Sequence, residues 1–232
     1  MANDYFRFRQ FTIRQEHCAM KVGTDGTLLG AWARGGRRIL DIGTGTGLIA
    51  IMMAQRNPEA SVVGIDIQGD AVIQACENVA ESPFCSRISI LDADIRTFHH
   101  QDLQYDAIVS NPPYFVSSLE CPDNQRTLAR HTSSMSYREL MQAVNRLMTE
   151  DGEFSIVIPF DCKPLLEQEA HLAGLFKVRE CAVRTTPQKP PRRYLMAFRK
   201  HTGELELSEG VIQDAPNIRS HWYYELTKDF YL

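Results

Sequence analysis

The chain has no CxxC pair. Its six cysteines, Cys18, Cys76, Cys85, Cys121, Cys162 and Cys181, are scattered, and no cysteine or histidine grouping has zinc-ligand spacing. Neither a zinc site nor a disulfide framework is expected. The natural reading is reduced, mostly buried thiols in a cytosolic protein. No apolar run approaches the ~18 residues of a membrane-crossing helix. The first ten residues are polar and aromatic, where a secretory leader would carry an apolar stretch. These absences lead to the expectation of a cytoplasmic, metal-free protein without a membrane partner. An excess of positive charge is also lacking: 25 Lys and Arg stand against 29 Asp and Glu, a formal net charge of -4. Net charge averages over faces, however, and a basic stripe can hide within it. Internal repeats and low-complexity segments are absent.

What is present is an alternation of strand and helix patterns. With 232 residues and 44% hydrophobic content, the chain has enough apolar material for one α/β domain over 1–232. Within it, 1–36 forms a leading segment, 37–200 the core and 201–232 an extension. Buried strands are expected at 37–43, 61–66, 88–94, 105–110 and 153–159. Helices are expected at 47–56, 69–81, 136–149 and 163–173. Ser136 and Glu139 read as a capping box, and Asp151-Gly152 as a turn. Two further strands, 176–185 and 193–199, have no helix between them and should form an antiparallel hairpin. Strands alternating with helices imply a parallel sheet covered on both faces. The expected fold is therefore a seven-stranded, mostly parallel sheet with an antiparallel C-terminal hairpin and helices on both faces. That is the plan of the Rossmann-like methyltransferases, whereas a dehydrogenase would continue with a parallel sixth strand.

The turn after the first core strand reads Asp41-Ile42-Gly43-Thr44-Gly45-Thr46-Gly47. Gly43 and Gly45 permit a tight turn and a close ligand approach. A dinucleotide site needs G-x-G-x-x-G/A, and here the third position is Leu48, so that fingerprint fails. A carboxylate two residues ahead of the first glycine would repel a pyrophosphate. It suits the cationic methionine end of S-adenosylmethionine, held directly or through water. Asp66, ending the second strand, suits two ribose hydroxyls. Asp94 and the Ile95 N–H suit the adenine edge, with Asp92 as the nearby competitor. Ile67 suits the adenine face.

Asn111-Pro112-Pro113-Tyr114 follows the fourth strand, at the sheet edge where ligands bind in open α/β folds. An exocyclic amine on adenine is a poor nucleophile because its lone pair is delocalised into the ring. The Asn111 side-chain oxygen and the Pro112 carbonyl can each accept one N–H, which draws the lone pair out of conjugation. Two prolines stiffen the loop, so these acceptors are preorganised, and Tyr114 offers a stacking ring. The tetrapeptide does not separate adenine N6 from other planar amines, such as guanine N2 of rRNA or a protein glutamine. A nucleotide-binding protein without catalysis is the reading from a different class; the intact Asp41, Asp66 and Asn111 favour an enzyme.

The residues 8–13 (FRQFTI), 20–26 (MKVGTDG) and 28–32 (LLGAW), together with the glycine turn and NPPY, make the chain similar to the bacterial tRNA1(Val) adenine-N6 methyltransferases. The resemblance spans nearly the whole chain and is most specific in its N-terminal part. It implies methyl transfer from S-adenosylmethionine to the adenine just 3′ of the anticodon, and a tRNA anticodon stem-loop as partner. Lys21 and Thr24 then belong over the methionine end of the cofactor. Gly23 and Gly26 suggest a turn before a helix starting near Thr27. Release-factor glutamine methyltransferases carry a helical domain ahead of this core, and DNA adenine methyltransferases usually add a recognition domain; neither pattern is expected here.

Between 177 and 200 the sequence has eight Lys or Arg (Lys177, Arg179, Arg184, Lys189, Arg192, Arg193, Arg199, Lys200) against one acid, Glu180. Its proline-stiffened loop puts Lys189, Arg192 and Arg193 forward as phosphate contacts. Arg126, Arg130 and His131, in the long segment after NPPY, would extend that surface. The aromatic tail at 222–231 is expected to pack on the core, and a monomer is expected.

Overall fold

The computed structural model describes residues 4–16, 21–100, 103–112 and 135–232. An N-terminal hairpin pairs β1 (Tyr5–Arg7) with β2 (Thr12–Arg14). Then follow α1 (Thr24–Trp32), β3 (Arg38–Ile42), α2 (Leu48–Arg56), β4 (Ser61–Asp66), α3 (Gly69–Glu81), β5 (Ile88–Asp92) and β6 (Tyr105–Ser110). The second half contains α4 (Tyr137–Leu147), β7 (Met148–Pro159), α5 (Lys163–Leu172), β8 (Phe176–Arg184), β9 (Arg193–Arg199) and β10 (Glu206–Val211). A small ladder of β11 (Gln213–Ala215) with β12 (Ile218–Arg219) and the helix α6 (His221–Thr227) complete the described chain.

The main sheet runs β10-β8-β9-β7-β6-β3-β4-β5. All seven expected strands are in it, and the expected hairpin lies with β9 inserted antiparallel between β7 and β8. The eighth strand, β10, adds in parallel to the outer edge of β8. It is hard to read from sequence because Glu206-Leu207-Ser208-Glu209 lacks an apolar alternation and is exposed, as edge strands commonly are.

Central strands are apolar on both faces, as a sheet covered on both sides requires. On one face Ile39, Val62, Ala107, Val109 and Leu195 meet α1, α2, α3 and α6. On the other, Leu40, Ile65, Ile108, Ile156 and Met196 meet α4 and α5. The capping box forms: Ser136 Oγ accepts from Glu139 N at 3.2 Å, and Ser136 N donates to Glu139 Oε2 at 2.7 Å. The aromatic tail packs as expected, with Tyr223 and Phe230 buried.

Three expectations are corrected. α1 starts at Thr24 rather than near Thr27; Gly23 is its N-cap and Gly26 lies inside it. The expected turn at Asp151-Gly152 is extended backbone within β7, where an irregular register against β6 accommodates the extra residues. Among the described cysteines only Cys181 is buried, while Cys76 and Cys85 are exposed.

Midway along β7, Glu153 is 4% exposed and faces three arginines. Arg179 Nη2 lies 2.6 Å away, Arg199 Nη2 2.9 Å and Arg34 Nη1 3.5 Å. The Arg179 guanidinium also covers the Trp32 ring at 3.9 Å. Removing the carboxylate would leave a buried guanidinium without its counter-charge. Glu153→Ala is expected to cost about 3–5 kcal/mol of stability, the usual scale for breaking a buried pair from one side. Urea unfolding measures it, and a loss near zero would mean that water replaces the carboxylate at this point.

Candidate active site

β3 lies between β4 and β6, so sheet growth reverses there, and the crevice outside the carboxyl ends of β3 and β6 is the ligand position of open α/β sheets. The glycine turn occupies it. Gly43, Gly45 and Gly47 have φ of 70°, 54° and 80°, a region that side chains rarely tolerate. The N–H groups of Gly43 and Thr44 both donate to the Ile65 carbonyl at 2.9 Å, fastening the turn to β4. A Cβ placed on Gly43 or Gly45 would meet nothing within 4 Å, so the turn opens on free space. At Gly47 the same atom would lie 3.4 Å from Ala75 Cβ, so this glycine lets the turn pack on α3.

The two acids flanking the turn have different surroundings. Asp66 is half-buried at the end of β4. Its Oδ2 accepts from Gly45 N at 2.9 Å and its Oδ1 from Gln68 N at 3.0 Å. Those bonds aim the carboxylate and leave lone pairs for a ligand. Asp41, expected to meet the cationic end of the cofactor directly or through water, is fully buried. Its Oδ2 accepts from Thr44 Oγ1 at 2.7 Å and from Ala50 N at 3.1 Å, joining the turn to α2. Its Oδ1 is buried without a hydrogen-bond donor. Burial pushes the Asp41 carboxyl up to about 7, against the pull of the Thr44 and Ala50 hydrogen bonds, and the nearby Asp66 raises it further.

Two residues behind this turn escaped the sequence reading. A Cβ on Gly64 would fall 2.7 Å from Thr44 Oγ1, so this β4 glycine makes room for the hydroxyl that Asp41 holds. A glycine inside a strand was the signal. Buried Asn78 of α3 donates to the carbonyls of Thr46 at 2.8 Å and Arg14 at 2.9 Å, and accepts from Arg14 N at 2.8 Å. It ties the turn to the N-terminal hairpin, a long-range link with no local pattern.

Ile67 is exposed just past β4, and Asp92 is exposed at the end of β5, in register with Asp66. The Asp94 carboxylate is already engaged by the Arg96 guanidinium, at 2.6 Å to Nη2, which holds it below the usual carboxylate range. An adenine amine would have to share Asp94 with Arg96, while Asp92 stands open. The Ile95 side chain is buried, and its carbonyl accepts from Arg146 Nη2 at 3.1 Å.

Asn111 and Pro112 follow β6 directly, and the Asn111 Oδ1 atom is buried. A Cβ on Gly26 of α1 would lie 4.0 Å from Asn111 Nδ2, so α1 backs the Asn111 carboxamide. Thr24 opens α1 and Lys21 is exposed ahead of it. Tyr114, Arg126, Arg130 and His131 lie outside the described residues.

The basic stretch is largely neutralised from within. Six of its eight cations have carboxylate partners: Lys177 with Glu167 and Glu180, Arg179 and Arg199 with Glu153, Arg184 with Glu209, Lys200 with Glu150, and Arg193 with Asp25. Arg193, expected as a phosphate contact, is engaged by Asp25 in this structure. Of this stretch, Lys189 and Arg192 are the two left exposed and without a carboxylate.

The Asp41 environment gives a pH test on the ligand-free protein. In the unfolded chain Asp41 ionises near pH 4, whereas in the fold it holds its proton to about pH 7. The folded state therefore loses stability on this account as pH rises from about 4 to about 7, with no further loss above. The permanently neutral Asp41→Asn should lack this loss, so its melting temperature relative to the parent should climb from pH 5 to pH 8. Parallel pH–melting curves would refute the assignment.

The methyltransferase small domain family matches residues 26–186. A Bacteroides fragilis tRNA1(Val) (adenine(37)-N6)-methyltransferase is 45% identical, over 100% of this chain and 99% of the relative. The Bacteroides thetaiotaomicron protein of the same name is 46% identical with the same coverage. In fold, the structure matches a predicted O-methyltransferase of Agrobacterium tumefaciens with TM-score 0.70 at 16% identity, covering 89% of this chain and 96% of that one. With its glycine turn, its two acids and Asn111-Pro112 gathered at one sheet edge, this chain belongs to the methyltransferase small domain family and, within it, to the tRNA1(Val) (adenine(37)-N6)-methyltransferases.

Proposed function

We infer that this chain transfers the methyl group of S-adenosylmethionine to N6 of adenine-37, beside the anticodon of tRNA1(Val). The observation that carries the target is full-length similarity at 45% identity to relatives of that name. The site supports the chemistry. Open space above Gly43 and Gly45, a half-exposed Asp66 held by two backbone N–H groups, and the donor-less Asp41 Oδ1 together fit a ligand with ribose hydroxyls and a cationic end.

When bound, S-adenosylmethionine supplies an electrophilic sulfonium methyl, so no strong base is needed before transfer. Asp66 accepts from the ribose hydroxyls. Ile67 lies against the adenine, and Asp92 or Asp94 with the Ile95 N–H meets its edge. Lys21 and Thr24 contribute at the methionine end, and Asp41 holds the turn beneath it. Asn111 Oδ1 and the Pro112 carbonyl accept the two N–H bonds of the target amine and aim its lone pair; Tyr114 stacks on the base. Rate then comes from positioning and polarisation. An anticodon-loop adenine is already unpaired, so presenting it costs less than extracting a duplex base. Exposed Lys189 and Arg192 offer cations for its backbone, which Arg126 and Arg130 would extend.

Two variants should separate binding from chemistry. Asp66→Ala should weaken S-adenosylmethionine binding by about 2–3 kcal/mol, the scale of lost charge-assisted hydrogen bonds. Asn111→Ala should retain that binding and slow methyl transfer by about 100-fold, as for one lost preorganised partner. Calorimetry and single-turnover transfer to unmodified tRNA measure the two, with mass spectrometry of the digested product. Methyl on guanine, cytosine or protein, with none on adenine N6, would overturn the target.

For the RNA contact, Lys189→Ala with Arg192→Ala should weaken tRNA binding and flatten its salt dependence by up to ~2 units of slope. An unaltered slope would remove this loop from the RNA path.

A further inference from the structure

The first turn of α1 lies directly against the catalytic edge, yet it lacks the usual means of being held there. Its N-cap is Gly23, and no side-chain hydrogen bond caps the helix. The far end is secured differently, by Arg56 Nη1 donating to the carbonyls of Gly30 at 3.0 Å and Ala33 at 2.7 Å. At the near end Asp25 meets Arg193: Arg193 Nη1 is 2.6 Å from Asp25 Oδ1, with the two side chains only 20% and 23% exposed. A negative charge in a first turn also favours the helix dipole.

Arg193 reaches this contact from a rigid base. It opens β9, with its Cα partnered to Pro159 at the carboxyl end of β7 and to Val183 of β8. The backbone just ahead is pinned on both sides, since Arg192 N donates to the Val183 carbonyl at 3.0 Å and the Arg192 carbonyl accepts from Phe160 N at 3.0 Å. One residue beyond Asp25, Gly26 packs on Leu48 of α2, where an added Cβ would lie 3.3 Å from Leu48 Cδ2, and it faces Asn111 Nδ2. The same helical turn therefore touches Asn111 through Gly26 and the far half of the sheet through Asp25.

We propose that the Asp25–Arg193 ion pair is a positioning clamp that holds the first turn of α1 against Asn111, keeping the Asn111 carboxamide aimed at the target amine. Arg193 then acts on the reaction through α1, with no contact to RNA. The clamp rests on the reading of Asn111 as acceptor of the amine. It joins a residue of the leading segment to one some 170 positions later, so neither partner is informative alone.

The full-length protein tests this with Asp25→Asn, Arg193→Gln, their double variant and the charge-conserving Arg193→Lys. Asn111→Ala and a melting curve for each serve as references. Each single neutralisation should slow single-turnover methyl transfer, at saturating tRNA and S-adenosylmethionine, by about 10- to 100-fold, the scale of a misplaced reacting group. The double variant should be no slower than the worse single, as expected for two halves of one device. Arg193→Lys should recover most of the rate, and tRNA affinity with its salt slope should stay at the parent value throughout. Weaker tRNA binding in Arg193→Gln with none in Asp25→Asn would overturn the clamp in favour of an RNA contact. Lower melting temperatures with parental rates would reduce the pair to stability alone and likewise overturn it. If Asn111→Ala itself keeps the parental rate, the reading of Asn111 fails first, which is distinguishable because the clamp variants are scored separately.

Discussion

Every part of the site depends on one buried carboxylate bridging a turn to a helix. Asp41 accepts from Thr44 in the glycine turn and from Ala50 in α2 with the same oxygen, so turn and helix are fixed relative to β3 at a single atom. Around that point the left-handed glycines, the Ile65 carbonyl and the space left by Gly64 all serve one geometry. The cost is a carboxyl in a dry environment, which is why it holds its proton to about neutrality in the ligand-free fold. A cationic ligand end nearby would favour its ionised form.

Building outward, the site is assembled from the ends of adjacent parallel strands. β3 supplies the turn, β4 supplies Asp66 and Ile67, β5 supplies Asp92 and the Asp94–Ile95 pair, and β6 supplies Asn111 and Pro112. Three of these strands, β3, β4 and β6, are hydrogen-bonded to a neighbour on each side, while β5 is the edge strand of the sheet. The candidate polar groups therefore sit at the ends of hydrogen-bonded strands, the fixed placement that polarisation of a weak nucleophile demands.

The charge arrangement follows a different logic. A stretch dense in Lys and Arg suggests a nucleic-acid surface, yet most of these cations are spent inside the protein. Arg179 and Arg199 neutralise buried Glu153, and Lys177 with Lys163 neutralise Glu180. Their acids come from strands and helices close in space, so the local excess of charge in the sequence overstated the surface excess. Of this stretch, Lys189 and Arg192 stay exposed without a carboxylate, on a loop that contains Pro187, Pro190 and Pro191.

Periodicity and local chemistry determined the strands, the helices and the ligand edge, because each rests on neighbours in the chain. β3, α2, β4, α3, β6 and β9 appear where apolar runs and Gly, Pro and Asn stops placed them, with Gly43, Asp66 and Asn111 at the carboxyl ends of β3, β4 and β6. Tertiary structure alone decided what depends on partners far along the chain. It buried Asp41 beneath the turn, covered Asp94 with Arg96, added polar β10 to an edge that its own residues did not announce, and turned Arg193 inward onto Asp25. The physical reason is common to all four. Whether a charged side chain faces water, a ligand or another side chain is set by which elements pack beside it, and a sequence read residue by residue carries no record of that neighbour.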